Sequence, residues 1–181
     1  MLRTLQILHR PPHLTLTVQE EQDAPVLFSL IQQEKARLRQ TLAWPDNVQQ
    51  IEDTLTTIRQ NREDFFAGHA AVYLIRWQDE IAGVASFNSL KDSQGEIGYW
   101  MAERFQGQGI ASQAIRLLID AFADAGILDT FIIKAATVNQ RSNALAQRLG
   151  FEFVDRLLAS EKIGENVYDQ NRYRYQRNST Q

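Results

Sequence analysis

The chain has 181 residues, of which 44% are hydrophobic and 23% are charged, and its net charge is −3. These values fit one domain with a hydrophobic core. The sequence lacks the basic stripe that nucleic-acid-binding proteins carry. There is no cysteine, which excludes disulfides, thiolate metal sites and a cysteine nucleophile. No apolar run reaches signal-peptide or membrane-span length, so we expect a soluble, cytoplasmic protein with no membrane partner.

The first half of the chain predicts one strand and two helices. Alternating apolar residues indicate a strand over residues 13–18. Apolar residues at three- and four-residue steps predict helices over 24–40 and 47–66. Asp46 and Gln49 have the spacing of a capping box, which would start the second helix.

The second half predicts most of the sheet. Strand-like runs and two further helices follow one another, and both helices have an apolar stripe. The strands are predicted at 70–77, 80–88, 95–101, 130–137, 151–160 and 168–176, and the helices at 110–125 and 139–150. The element order lacks the strict alternation of a doubly wound fold. The predicted fold class is therefore α/β (α+β), with a mixed sheet of about seven strands and four helices in one domain, 1–181.

A glycine-rich turn joins the strand over 95–101 to the third helix. It reads Gln106-Gly107-Gln108-Gly109-Ile110-Ala111. Glycine allows positive φ and close approach of a ligand, and a helix start leaves N–H groups unpaired. Such a turn predicts a phosphate site. It has neither the lysine of a Walker loop nor the three glycines of a dinucleotide fold, and a plain turn remains the alternative.

Three motifs in order resemble the GNAT superfamily of N-acetyltransferases over roughly residues 12–176. They are "EIGYWM", the Q-x-x-G-x-A turn and "NQRSNALAQRLGF". With "LAWPDNV" they are similar to the ribosomal-protein-serine N-terminal acetyltransferases of the RimL and RimJ type. The resemblance implies a GNAT fold with a splayed middle, acetyl-CoA as co-substrate, and a protein α-amino group as the acceptor that attacks the thioester directly.

The resemblance also assigns residues to the donor. Main-chain N–H groups of 108–112 and the Ser112 hydroxyl would hold the pyrophosphate, while the backbone near Trp100 and Met101 would pair with pantetheine. Asn139 would bond a pantetheine amide, with a helix cap as its plainer alternative. The implied acetyl-CoA-binding residues are Trp100, Met101, Gln106, Gly107, Gln108, Gly109, Ile110, Ala111, Ser112 and Asn139.

The implied catalytic residues are Ser142, Glu161 and Glu96. Ser142 would protonate the leaving thiolate or orient it, because the last helix lacks the tyrosine acid of many family members. Glu161 would act as base through water, with Glu96 as its rival. Each has a plainer alternative: Ser142 as a helix cap, Glu161 as an exposed loop carboxylate and Glu96 as a strand residue.

The acceptor is less determined than the donor. We expect its cleft between the first two helices and the last strand pair, with Trp44 and Tyr168 lining it and no catalytic role for Trp44. A small amine, such as a polyamine, an aminoglycoside or an amino acid, is the second hypothesis. A non-catalytic acyl-CoA-binding module is the third. The family occurs as monomer and dimer, so a homodimer is left open, and no metal is expected because the three histidines lack ligand spacing.

Overall fold

The computed structural model describes residues 2–177 and forms one mixed sheet between two layers of helices. The strands are β1 Ile7–Arg10, β2 Leu14–Val18, β3 Ala71–Trp77, β4 Glu80–Lys91, β5 Gln94–Met101, β6 Thr130–Ala136, β7 Glu152–Ile163 and β8 Asn166–Gln176. The helices are α1 Ala24–Leu38, α2 Ile51–Ala67, α3 Ile110–Asp124 and α4 Gln140–Arg148. The fold class and the four helices are confirmed. The assignment of residues 1–181 to one domain stays a prediction.

The sheet has eight strands, one more than predicted, because β1 pairs with β2 as a hairpin. Only Leu8 of the four β1 residues is buried. Such a short strand shows no alternation that a sequence pattern could reveal.

The sheet opens at its centre. Strand order is β1-β2-β3-β4-β5-β6-β8-β7, and β5–β6 is the parallel pair among antiparallel neighbours. β5 and β6 pair only over 94–97 and 130–133, although both strands continue further. Beyond Ile97 the two strands separate, which is the splayed middle that the resemblance implied.

Two apolar clusters cover the two faces of the sheet. One contains the buried stripes of α3 and α4, and the other contains those of α1 and most of α2. Side chains of β5 alternate between them, with Ile97 and Met101 in the first and Trp100 in the second. In α3, two residues that the pattern placed in the buried stripe, Leu117 and Ala121, are only half-buried.

The predicted start of α2 is wrong. Residues Trp44–Asn47 form a separate 3-10 turn that contains Pro45, and Val48 is extended. α2 begins at Ile51, and its capping box consists of Gln50 and Asp53. Asp46 lies in the proline turn and Gln49 in the short segment between that turn and α2, so the pair Gln50 and Asp53 caps the helix instead. No helix within residues 2–177 is long and apolar enough to cross a membrane.

Candidate active site

The open edge of β5 offers main-chain groups to a ligand. Ala102 N–H donates to Ala82 O at 2.8 Å, so the alternation of an antiparallel pair turns the N–H groups of Tyr99 and Met101 toward the gap. The Met101 carbonyl is already taken, because Arg37 Nη2 donates to it at 2.5 Å. The main chain of Trp100 faces β4, and its side chain lines a cavity. Pairing of pantetheine with this edge stays a prediction.

The glycine turn has the conformation that a phosphate site needs. Gly107 and Gly109 have φ of +75° and +77°, and Gly109 is the N-cap of α3. A Cβ at Gly107 would meet nothing within 4 Å, and one at Gly109 only Gln113 Nε2 at 3.9 Å. The turn is therefore open on its outer side, and helix geometry leaves the first N–H groups of α3 without partners.

The remaining turn residues contribute mainly main chain. Ile110 is buried in the core below the turn, so only its amide faces outward. Gln108 Nε2 donates to Arg104 O at 2.9 Å, and Gln106 ends the 3-10 turn Glu103–Phe105. Ala111 is half-buried in the first turn of α3. All these residues lie at the predicted place, and their contact with a pyrophosphate stays a prediction.

Arg148 adds a positive charge to the glycine turn. Its Nη2 lies 3.4 Å from the Ser112 hydroxyl oxygen, so the end of α4 reaches the start of α3. Sequence reasoning missed this residue because the two positions are 36 residues apart. A guanidinium beside exposed helix-start amides suits a phosphate.

A cavity of about 590 Å³ begins at the gap and extends beneath α1 and α2. The three predicted catalytic residues all line it, together with two of the predicted donor-binding residues. These are Ser142, Glu161, Glu96, Trp100 and Asn139. The glycine turn does not line it. The structure thus brings the three predicted catalytic groups together around one cavity at the gap, with Glu96 on β5 and the other two beyond β6, and the glycine turn follows the end of β5.

Glu161 lies at an irregular point of β7, where the register with β8 shifts between Leu157 and Glu161. Gln170 Nε2 donates to its Oε2 at 3.0 Å. Burial raises the pKa of the Glu161 carboxyl above its usual value. The residue is half-buried in a strand, so it is not the exposed loop carboxylate of the plainer alternative.

Glu96 lies on β5 just before the strands separate. Lys134 Nζ on β6 donates to its Oε2 at 3.3 Å, and both side chains are about one-third exposed. One oxygen of Glu96 is therefore engaged by a cation, unlike Glu161. Within residues 2–177, no group of three or more His, Asp or Glu side chains is placed to hold a metal ion.

Asn139, not Ser142, caps α4. Asn139 Oδ1 accepts from the Ser142 N–H at 3.2 Å, so the Ser142 hydroxyl is not needed for the cap. Ser142 is 9% exposed and lines the cavity. The cap alternative therefore applies to Asn139 and does not apply to Ser142.

Tyr99 is a further group at the gap that sequence reasoning missed. It lines the same cavity. Burial raises the pKa of its phenol, while a hydrogen bond with the Ser142 side chain and the charges of Arg148 and Arg141 oppose that rise. The residue lies inside the "EIGYWM" motif, and only the separation of β5 from β6 exposes it to Ser142.

Trp44 lines the cavity as predicted, with its ring 6.0 Å from that of Trp100. The prediction for Tyr168 is wrong, because Tyr168 is not part of the cavity wall. β8 reaches the wall two residues later, at Gln170.

A splayed parallel pair, a helix-start turn with exposed amides, and a carboxylate and hydroxyl beside the gap define the class of acyl-CoA-dependent N-acyltransferases. Residues 13–152 match the family described as the acetyltransferase (GNAT) domain. The chain belongs to the GNAT acetyltransferase family, whose donor is acetyl-CoA, and it is an enzyme of that family.

Relatives are similar over nearly the whole chain. The ribosomal-protein-serine acetyltransferase of Escherichia coli (strain K12) is 39% identical over 162 residues, which cover 88% of this chain and 90% of that protein. The ribosomal L7/L12 α-N-protein acetyltransferase RimL, solved with coenzyme A, has a TM-score of 0.94 at 35% identity, over 96% and 99% of the two chains. The microcin C7 self-immunity acetyltransferase MccE, solved with acetyl-CoA and AMP, has a TM-score of 0.89 at 35% identity, over 91% and 93%.

Proposed function

We propose that this enzyme transfers the acetyl group of acetyl-CoA to the N-terminal α-amino group of a ribosomal protein that begins with serine. The observation that carries the proposal is the cavity at the gap, where Glu161 and Ser142 line one space. The names of the relatives from E. coli and of the RimL structure support the acceptor. We also propose that the enzyme acts in the cytoplasm.

Donor binding comes first in the proposed reaction. The amides of the glycine turn and Arg148 hold the pyrophosphate, and the splayed edge of β5 receives the pantetheine arm as an added strand. The N–H groups of Tyr99 and Met101 that face the gap are available to the thioester oxygen. One such donor is worth about 10²–10³ in rate.

Acetyl transfer follows by direct attack of the amine. Glu161 takes a proton from the α-amine through water. A weak base is enough, because the pKa of a protein α-amine is about 8. The C–N bond forms and the oxyanion is held at the β5 edge. The C–S bond then breaks, and the surplus proton of the attacking nitrogen passes through the Ser142 hydroxyl, which Tyr99 adjoins, to the leaving thiolate.

A small amine is the second candidate acceptor. MccE, a relative of the same fold, was solved with acetyl-CoA and AMP, and this supports a small molecule as the acceptor. The Trp44 ring next to Trp100 offers an aromatic surface in the cavity of this chain. A non-catalytic module has no comparable support.

The test compares two acceptor sets in one assay. Purified enzyme and acetyl-CoA are incubated with hexapeptides that begin with serine, and separately with a panel of polyamines, aminoglycosides and amino acids. We expect CoA release and a 42-dalton gain on the peptide α-amine, which follows from the chemistry of acetylation. Turnover of the small amines without any peptide would overturn the proposed function. Light scattering of the same sample distinguishes a homodimer from a monomer.

A further inference from the structure

A β-bulge in β4 places the side chain of Asn88 in the wall of the cavity at the gap. In the β4–β5 pair, Phe87 lies opposite Ile97 and Ser89 opposite Glu96, which leaves Asn88 as the extra residue. Bulges next to active sites commonly re-aim a side chain. Asn88 lines the cavity that holds the predicted catalytic residues.

Gly98 leaves the space that Asn88 occupies. A Cβ at position 98 would lie 2.5 Å from Asn88 Nδ2 and 3.3 Å from Ser86 Oγ. Gly98 is not among the glycines with positive φ, so the space and not the backbone conformation requires glycine here. The amide of Asn88 therefore stands over β5, between the positions of Glu96 and Trp100 on the same face.

Ser86 fixes which way the Asn88 amide faces. The Ser86 hydroxyl donates to Asn88 Oδ1 at 2.7 Å and lies 3.3 Å from Gly98 O. Ser86 is itself only 5% exposed, which is unusual for serine and costs free energy unless the hydroxyl is bonded. With Oδ1 engaged, the Nδ2 group is the part of Asn88 left to donate, and no acceptor within residues 2–177 is bonded to it.

From this geometry we propose that Asn88 Nδ2 donates to the carbonyl oxygen of the acceptor's first residue. In a peptide that oxygen is two bonds beyond the carbon that carries the reacting amine, so the amine and the oxygen can engage the gap and the Asn88 amide together. Asn88 is then a specificity residue that favours α-amino carbonyl compounds over plain amines, with Ser86 and Gly98 as its positioning residues. The inference rests on the proposed function.

The test uses two peptides that differ at one group. One hexapeptide begins with serine, and its partner has the first amide replaced by an (E)-alkene, which removes the carbonyl. The ratio of kcat/KM for the two peptides is measured in wild type, Asn88→Asp and Gly98→Ala. Asn88→Asp keeps the acceptor for Ser86 and removes the Nδ2 donor, and Gly98→Ala displaces the amide.

We expect the preference for the true peptide to fall about 10-fold in both variants, which is the effect of losing one hydrogen bond of ordinary strength. The change should appear mainly in KM. Asn166→Asp makes the same change at an exposed position outside the cavity, and its ratio should stay at the wild-type value. Because each ratio is taken within one variant, a reduced folded fraction cancels.

Two results would overturn the inference in distinguishable ways. A wild-type ratio in both Asn88→Asp and Gly98→Ala removes Asn88 from acceptor recognition and leaves N-terminal acetylation standing. Turnover of small amines with no turnover of either peptide removes the proposed function, and this inference with it.

Discussion

Glu161 has the surroundings of a base that works near neutral pH. Burial raises its pKa, and its hydrogen-bond partner is the neutral amide of Gln170. A base must be deprotonated, so the rate should fall as pH drops through this raised pKa. We expect Glu161→Gln to lower kcat about 10²-fold or more and to remove that acidic limb. The measurement is kcat/KM against pH, with acetyl-CoA affinity determined by calorimetry.

The same substitution should not weaken the fold. A raised pKa in the folded state means that ionised Glu161 disfavours folding at pH values above that pKa, and glutamine removes the charge. Thermal unfolding of Glu161→Gln at neutral pH should thus occur at the wild-type temperature or higher. Glu165→Gln, in the exposed β7–β8 turn, is the matched control. An acidic limb that persists in Glu161→Gln would move the role of base to another group, with Glu96 next in line.

Ser142 and Tyr99 are neighbours in the cavity wall. If the serine hydroxyl relays a proton to the thiolate, Ser142→Ala should lower kcat with little change in acetyl-CoA affinity. Tyr99→Phe should lower kcat less, because the phenol adjoins the hydroxyl and does not replace it. Pre-steady-state release of CoA measures the step directly. Wild-type kcat in Ser142→Ala would exclude the relay.

At the scale of elements, Asn143 fixes α4 to the sheet. Its Nδ2 donates to Ala136 O at 3.0 Å and to Asn139 O at 2.7 Å. Its Oδ1 accepts from Asn171 Nδ2 at 2.9 Å and from Tyr173 OH at 2.7 Å. One side chain thus joins the end of β6, the start of α4 and β8. Asn143 directly follows Ser142 in the chain, so it also helps to hold Ser142 in place.

Replacing Asn143 should therefore affect stability and catalysis together. Asn143→Leu removes four hydrogen bonds and leaves Asn171 Nδ2 and Tyr173 OH without their partner, while both carbonyls keep a main-chain donor, and we expect a loss of about 2 kcal/mol in unfolding free energy. Because α4 carries Ser142, kcat should also fall. Urea denaturation and steady-state kinetics measure the two effects. Gln147→Leu, an exposed position of the same helix, is the control, and equal effects of both substitutions would contradict the anchoring role.

Across the whole molecule, the parts that the sequence predicted correctly are those whose motifs are continuous in the chain. The glycine turn, the α4 segment and the strand before the turn were recognisable because each motif is continuous in the chain. β1 escaped because four residues with one buried side chain give no periodicity. The start of α2 was misplaced because two residue pairs, Asp46–Gln49 and Gln50–Asp53, have the same capping-box spacing, and the turn around Pro45 decides between them.

The site residues that the sequence did not predict were missed for a different reason. The roles proposed for Arg148, Tyr99 and Asn88 depend on contacts with distant parts of the chain or on a bulge, and neither can be recognised in a short stretch of sequence. Tyr168 lies opposite Glu161 and on the same face of β8 as Gln170, both of which line the cavity, but the cavity wall ends at Gln170. How far a cavity extends along a strand cannot be read from the periodicity of that strand.

Apart from tyrosine and tryptophan, four polar side chains within residues 2–177 are less than a tenth exposed: Gln19, Thr54, Ser86 and Ser142. All four border the cavity at the gap. Among side chains other than tyrosine and tryptophan, deep burial of polar groups is thus confined, within residues 2–177, to the wall of this cavity. Substitutions at these four positions would leave the two apolar clusters of the core in place. Relatives could therefore differ in the acceptor they choose while keeping the same stable fold.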